Sequence, residues 1–226
     1  MGSTDHLCEY CNKVYKKSDS LKLHLCRQKI RFQEQNDRGV QLGFQAYLQF
    51  NQRLVGARER TYKDFTTSPY YQAFVKWGKY AVEIRAIDPE AFVEFLLDNN
   101  KKIDQWCRDR NYDEYLMSYL KKEPIDNAIR RAIEFSLDWE EKTSSPSRDY
   151  LRFGNENIIC YAISTGRISP WILYNCDSGI EFLNRLNPEQ LSLIWRVVDT
   201  DFWNERLASS YYDRSYLQDT LKLMGW

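Results

Sequence analysis

Histidine is nearly missing from this sequence. The 226 residues include two, His6 and His24, and both fall within the first 24 positions. Ser-His-Asp and Cys-His arrangements need an imidazole to take the nucleophile's proton, so neither can form from residues beyond His24. No G-x-x-x-x-G-K-[ST], G-x-G-x-x-G or H-E-x-x-H motif occurs. Glycine and proline are sparse, at 9 and 6 residues, and no Asn-Gly or Asp-Gly pair offers a tight hairpin turn. Acidic pairs such as Asp88/Glu90 and Asp199/Asp201 read as helix caps or solvated faces rather than cation sites. Enzymatic activity is therefore not expected. No apolar run approaches the roughly 18 residues of a membrane span. The first seven residues have neither the basic nor the apolar region of a secretory signal. Gly2 is followed at position 6 by His rather than the Ser or Thr of a myristoylation signal. A cytoplasmic protein with no membrane partner is expected.

What is abundant is aromatic: 16 Tyr, 11 Phe and 7 Trp, a composition of ordered globular chains. The formal net charge is zero but unevenly spread. Residues 1–64 hold 12 Lys+Arg against 7 Asp+Glu, and residues 65–226 hold 20 against 25. A basic front on an acidic body places any polyanion contact in the N-terminal quarter.

The one stretch with recognisable chemistry is 7–27, LCEYCNKVYKKSDSLKLHLCR. Cys8 and Cys11 stand C-x2-C, so one tight turn can present two thiolates to a single zinc ion. Twelve residues then lead to His24, enough for a short hairpin and the start of a helix. Tyr15 and Leu21 occupy apolar positions between them. This pattern resembles the two-cysteine two-histidine zinc finger, where such an aromatic and such a leucine form the small core beside the metal. The likeness stops at His24, since the next positions expected to hold histidine are Gln28, Lys29 and Ile30. Cys26 is the nearest fourth ligand. On a regular helix, however, i and i+2 diverge by about 200°, so Cys26 can serve only if the helix ends first. His6 or a water molecule are the alternatives. Cys107, Cys160 and Cys176 lie apart among apolar residues and read as buried free thiols of a reducing compartment.

The zinc-finger resemblance implies a helix starting near Ser18 with Lys17, Ser20 and Leu23 at base-reading positions. Leu23 reads little there, so DNA binding is expected to be weak, salt-dependent and mainly to phosphate. It would use Lys13, Lys16, Lys17, Ser20, Lys22, Arg27 and Arg31. A protein partner is the other expectation for this segment.

The rest of the chain has helical periodicity. Val40, Phe44, Tyr47 and Leu54 share one face of a basic connecting helix over 31–64, with a break expected near Gly39 or Gly43. Ser68-Pro69, Asp88-Pro89, Ser169-Pro170 and Asn187-Pro188 each place a capping residue before a proline at the first helical position. Glu123-Pro124 is a weaker example. Trp77, Trp106, Trp139 and Trp195 read as core, and Trp171 and Trp226 as contact residues. Thr-Ser-Ser-Pro-Ser at 143–147 marks a linker. The fold expected is mainly α: a zinc finger over 1–30, the connecting helix, and helical lobes at 65–142 and 148–226.

Residues 156–190, ENIICYAISTGRISPWILYNCDSGIEFLNRLNPEQ, look similar to proteins encoded by large tailed phages and to the helical helicase-assembly (loader) proteins of phage replication. Ile163, Gly166, Ile168, Ser169, Leu173, Phe182 and Leu183 carry the likeness. The loader proteins have no zinc finger. The resemblance implies a non-catalytic, nucleic-acid-associated accessory role in replication or transcription. A virion structural or assembly protein with a structural zinc is the alternative.

Overall fold

The computed structural model describes residues 5–56 and 59–226; Gly2 lies outside them. The chain is 70% helical, with 15 α-helices and one two-stranded sheet among the described residues. It divides into two compact units, Met1–Arg108 and Asp109–Trp226.

The first unit opens with strands β1 (His6–Leu7) and β2 (Val14–Tyr15), antiparallel with His6 opposite Tyr15. Helices α1 (Ser18–Lys22) and α2 (Arg27–Gln33) follow, then a 3-10 turn at Glu34–Asn36 and α3 (Arg38–Val55). The region expected as one connecting helix is thus broken at Asp37, whose carboxylate caps α3 by accepting from Val40 N at 3.0 Å. Gly39 and Gly43 do not break it. They lie within α3 where it meets Gly78 of α5 (Tyr71–Glu83). A Cβ on Gly78 would fall on the carbonyl oxygen of Gly39 and 2.6 Å from the amide of Gly43. Backbone contact between the two helices outweighs the roughly 1 kcal/mol that each helical glycine costs.

The sequence Thr61–Asp64 forms a reciprocal capping box at the start of α4 (Tyr62–Thr67). Asp88 caps α6 (Pro89–Asp98), with Pro89 at its first turn as expected. Ser68-Pro69 differs: α5 starts two residues later, and Ser68 Oγ instead accepts from Tyr70 N. Phe65, Tyr47, Phe74, Phe50, Trp106 and Trp77 form a continuous run of ring contacts through this unit. Leu54, assigned to the same apolar face as Val40, is exposed near the end of α3.

The second unit contains α7 (Asp109–Leu120), α8 (Ile125–Thr143), α9 (Tyr150–Phe153), α10 (Glu156–Ser164) and α11 (Pro170–Leu173). It continues with α12 (Asp177–Asn184), α13 (Pro188–Trp195), α14 (Thr200–Ser209) and α15 (Tyr211–Leu223). The lobe boundary expected at 143–147 lies inside this unit, and the division falls at 108/109 instead. The Ser/Pro stretch makes a turn, because Tyr150 just beyond it is buried against Phe135 of α8 and against Trp226. Gly166 closes α10 as expected. At φ 78° it donates to Ile163 O while Arg167 N reaches Ala162 O, the paired bonds of a Schellman cap.

Trp171 is 1% exposed and packs edge-on against Trp203, so it is core rather than a contact residue. Trp195 is the reverse: half of it faces solvent. Beneath α11 the fully buried carboxylate of Glu123 accepts from Arg131 Nη2 and from Ser169 Oγ, each at 2.6 Å. Pro124 therefore sits one residue ahead of α8, with Glu123 turned inward. Cys160 and Cys176 are buried and Cys107 half-buried, and burial pushes all three thiols up.

Candidate metal centre

The hairpin turn positions the first two donors. Cys8 N donates to Lys13 O at 2.9 Å and Asn12 N to Cys8 O at 2.8 Å, with Asn12 in the left-handed region at φ 58°. Asparagine accepts that conformation more readily than most residues. The chain then runs through β2 into α1, which starts at Ser18 as the zinc-finger pattern implies but lasts only five residues.

That early stop frees Cys26 from the helix. Leu23 caps α1, His24 N reaches back to Leu21 O, and Cys26 is extended (φ −102°, ψ 158°) as the N-cap of α2. The 200° divergence of a regular helix therefore does not apply. Cys8, Cys11, His24 and Cys26 offer donor atoms all within 4.8 Å of one another, and among the described residues they are the one group of three or more His, Cys, Asp or Glu that could hold a metal ion. Cys8 Sγ lies 4.0 Å from Cys26 Sγ, and Cys11 Sγ 3.2 Å from His24 Nε2. A tetrahedral ion with bonds of about 2.0–2.3 Å spaces its donors roughly 3.3–3.8 Å apart; the two spacings lie just either side of that range, and the donor types, three thiols and an imidazole, suit such an ion. His6 pairs with Tyr15 across the hairpin and is not part of the group.

The surroundings favour ligation. Tyr15 hydroxyl lies 2.7 Å from His24 Nδ1. A metal on Nε2 leaves Nδ1 protonated and donating to Tyr15, which fixes ring and tautomer together. Burial pushes the Cys8 thiol up, but backbone amides of Cys11 and Tyr10 outweigh it and hold the thiol below its ordinary value. The Lys13 amide pulls Cys11 down, yet burial and the neighbouring sulfurs leave it raised. The Cys26 sulfur also accepts from Lys29 N at 3.4 Å, tying the cluster to the first turn of α2.

The expected nucleic-acid contacts separate into two groups. Lys13, Lys16, Lys17, Ser20, Lys22 and Arg27 are exposed. Lys13 lies over the Tyr15 ring, and Lys22 pairs with Asp19 at 3.3 Å. Arg31 is not at the surface. It is 9% exposed, donates to Thr66 O at 2.6 Å and stacks 4.1 Å above Tyr71. A guanidinium surrounded by α4 and α5 cannot reach a phosphate; its place on α2 holds the metal segment to the unit instead. Sequence reasoning missed this because a charged residue in a polar, Gln-rich stretch reads as solvated. Tyr10 against Phe32 and Lys63 donating to Glu9 O make the same junction.

The base-reading positions do not form one helical face. Lys17 is extended ahead of α1, Ser20 lies within it, and Leu23 ends it. Five residues rise only about 7.5 Å. No described helix is long and apolar enough to cross a membrane. Compared with protein families, curated proteins and solved structures, the chain matches none, so neither the zinc-finger family nor the phage proteins are shown as its relatives.

Proposed function

We propose that this chain is a non-catalytic accessory protein that binds one zinc ion through Cys8, Cys11, His24 and Cys26 and contacts nucleic acid with its metal-held segment. The observation that carries the reading is the convergence of three thiols and one imidazole nitrogen on a common centre. Thiolate-rich four-donor sets suit zinc, and a set with no ligand position left over is structural rather than catalytic. When bound, the ion supplies the cross-link and the charge that offsets the thiolates.

Exposed Lys13, Lys16, Lys17, Lys22 and Arg27 surround the ligands in sequence and supply phosphate contacts without base readout. The likeness of residues 156–190 suggests a replication or transcription role in a tailed phage as the setting. An assembly or virion protein is the second reading. The anchoring of the segment through Tyr10, Phe32, Arg31 and Lys63 favours it, since such contacts suit a fixed structural element.

Metal analysis of the purified protein should give a zinc-to-chain ratio near one. Duplex DNA binding should weaken with salt at a log–log slope of about −3 to −4.5, the value for roughly three to five phosphates. Binding that ignores salt, or its absence at about 50 mM salt, would move the assembly reading ahead.

A further inference from the structure

Between α1 and α2 the chain is neither helix nor strand, and its side chains alternate. His24 and Cys26 turn toward the metal cluster, while Leu23 and Leu25 face solvent at 84% and 70% exposure. The alternation is imposed: with both ligands held inward, the leucines beside them have nowhere else to point. Leu25 precedes the α2 cap and Ile30 is the fourth residue of that helix, the positions of a hydrophobic staple. Both stay exposed. Lys22 and Arg27 bracket the leucines in sequence. Across residues 13–29 there are six Lys+Arg and a single carboxylate, Asp19.

A phosphate backbone gains nothing from two protruding leucines, so nucleic-acid binding leaves them unexplained. A stable protein interface needs about 800 Å² from each partner, and a tip of three aliphatic side chains falls short of that. A bilayer surface needs no matching groove. It takes up protruding apolar groups and, if anionic, attracts the cations around them.

We infer that the Leu23–Leu25–Ile30 tip, with Lys16, Lys17, Lys22 and Arg27, docks peripherally on an anionic lipid surface. No membrane span is involved. Without a lipid anchor, peripheral binding scales with the apolar area inserted plus the electrostatic attraction to anionic lipid, and this segment offers both. Each cation near the surface strengthens partition about five-fold, and each inserted leucine about ten-fold. The inference rests on the metal reading, because ligation is what holds the leucines outward.

The test is co-sedimentation of the full chain with vesicles of phosphatidylcholine plus phosphatidylserine, against phosphatidylcholine alone. The double variant Leu23→Ser/Leu25→Ser is run beside the wild type, and both are also titrated with duplex DNA. The wild type should bind only the anionic vesicles, and the double variant should lose about 100-fold in partition while keeping its zinc and DNA binding. Three results overturn the inference: no wild-type binding, equal binding by the variant, or a parallel loss of DNA binding. Zinc content is measured on the same samples. A ratio near one without vesicle binding sinks this inference alone, whereas absence of zinc sinks the metal reading whatever the vesicles show.

Discussion

The metal segment and the second unit are built on opposite principles. Between residues 5 and 26 a single residue, Cys8, is buried, and α1 buries none. In the second unit Trp171, Trp203, Tyr150 and Phe182 are almost wholly enclosed, and even a carboxylate is taken inside with its partners. The first has too little apolar surface to offset the entropy of ordering its chain, at about 1–2 kcal/mol per residue for the backbone alone. What it has instead is a convergence of three thiols and an imidazole that could hold a metal ion. The second is held by burial. Charge follows the same division: the first unit holds 18 Lys+Arg against 13 Asp+Glu, and the second 14 against 19.

The two regions should differ most at the cluster. Cys8→Ser should abolish zinc binding and remove amide-exchange protection from α1 and the start of α2, because structural zinc supplies about 10–16 kcal/mol of folding free energy in finger peptides. The second unit should keep its protection. Exchange that rises throughout the chain would show that the ion supports more than its own segment.

Within the second unit, Glu123→Ala should cost about 3–5 kcal/mol in urea unfolding, since it leaves Arg131 and Ser169 without their shared acceptor. A loss below about 1 kcal/mol would mean that water replaces the carboxylate. The matching perturbation of the first unit is Gly78→Ala. The new methyl overlaps Gly39 O and should cost about 1–3 kcal/mol or more as α3 and α5 separate. It should leave zinc content unchanged if the cluster and the glycine contact are independent.

The smallest effect concerns pH. Asp199 caps α14 and pairs with Lys121 at 2.6 Å. The Lys121 hydrogen bond, then the Phe202 amide, hold its carboxyl below the usual value. A lowered folded-state pKa contributes stability above the unfolded value and loses it as pH falls through the folded one. Asp199→Asn keeps a good cap and removes the charge. It should slightly lower stability at neutral pH and flatten the acid limb of the stability curve below about pH 4. An unchanged acid limb would place that pH dependence in other carboxylates.

Local patterns determined most of the elements. Asp88-Pro89, Ser169-Pro170 and Asn187-Pro188 start helices where a cap and a fixed φ act within four residues, and Gly166 ends one for a similarly local reason. C-x2-C, Tyr15, Leu21 and His24 likewise indicated a metal segment, because ligand spacing within one turn is a property of the chain itself. The structure decided whatever depends on partners distant in sequence. Gly39 and Gly43 read as breaks until Gly78 is laid against them. Arg31 reads as solvated until Thr66 and Tyr71 enclose it, and Trp171 as exposed until Trp203 covers it. Cys26 joins the group that could hold a metal ion because α1 stops at Lys22. The sequence carried the caps, the turns and the four candidate metal-binding residues; the structure decided that Cys26 can reach the other three, where the unit boundary falls and which charges face solvent, since burial depends on residues that only the folded chain brings together.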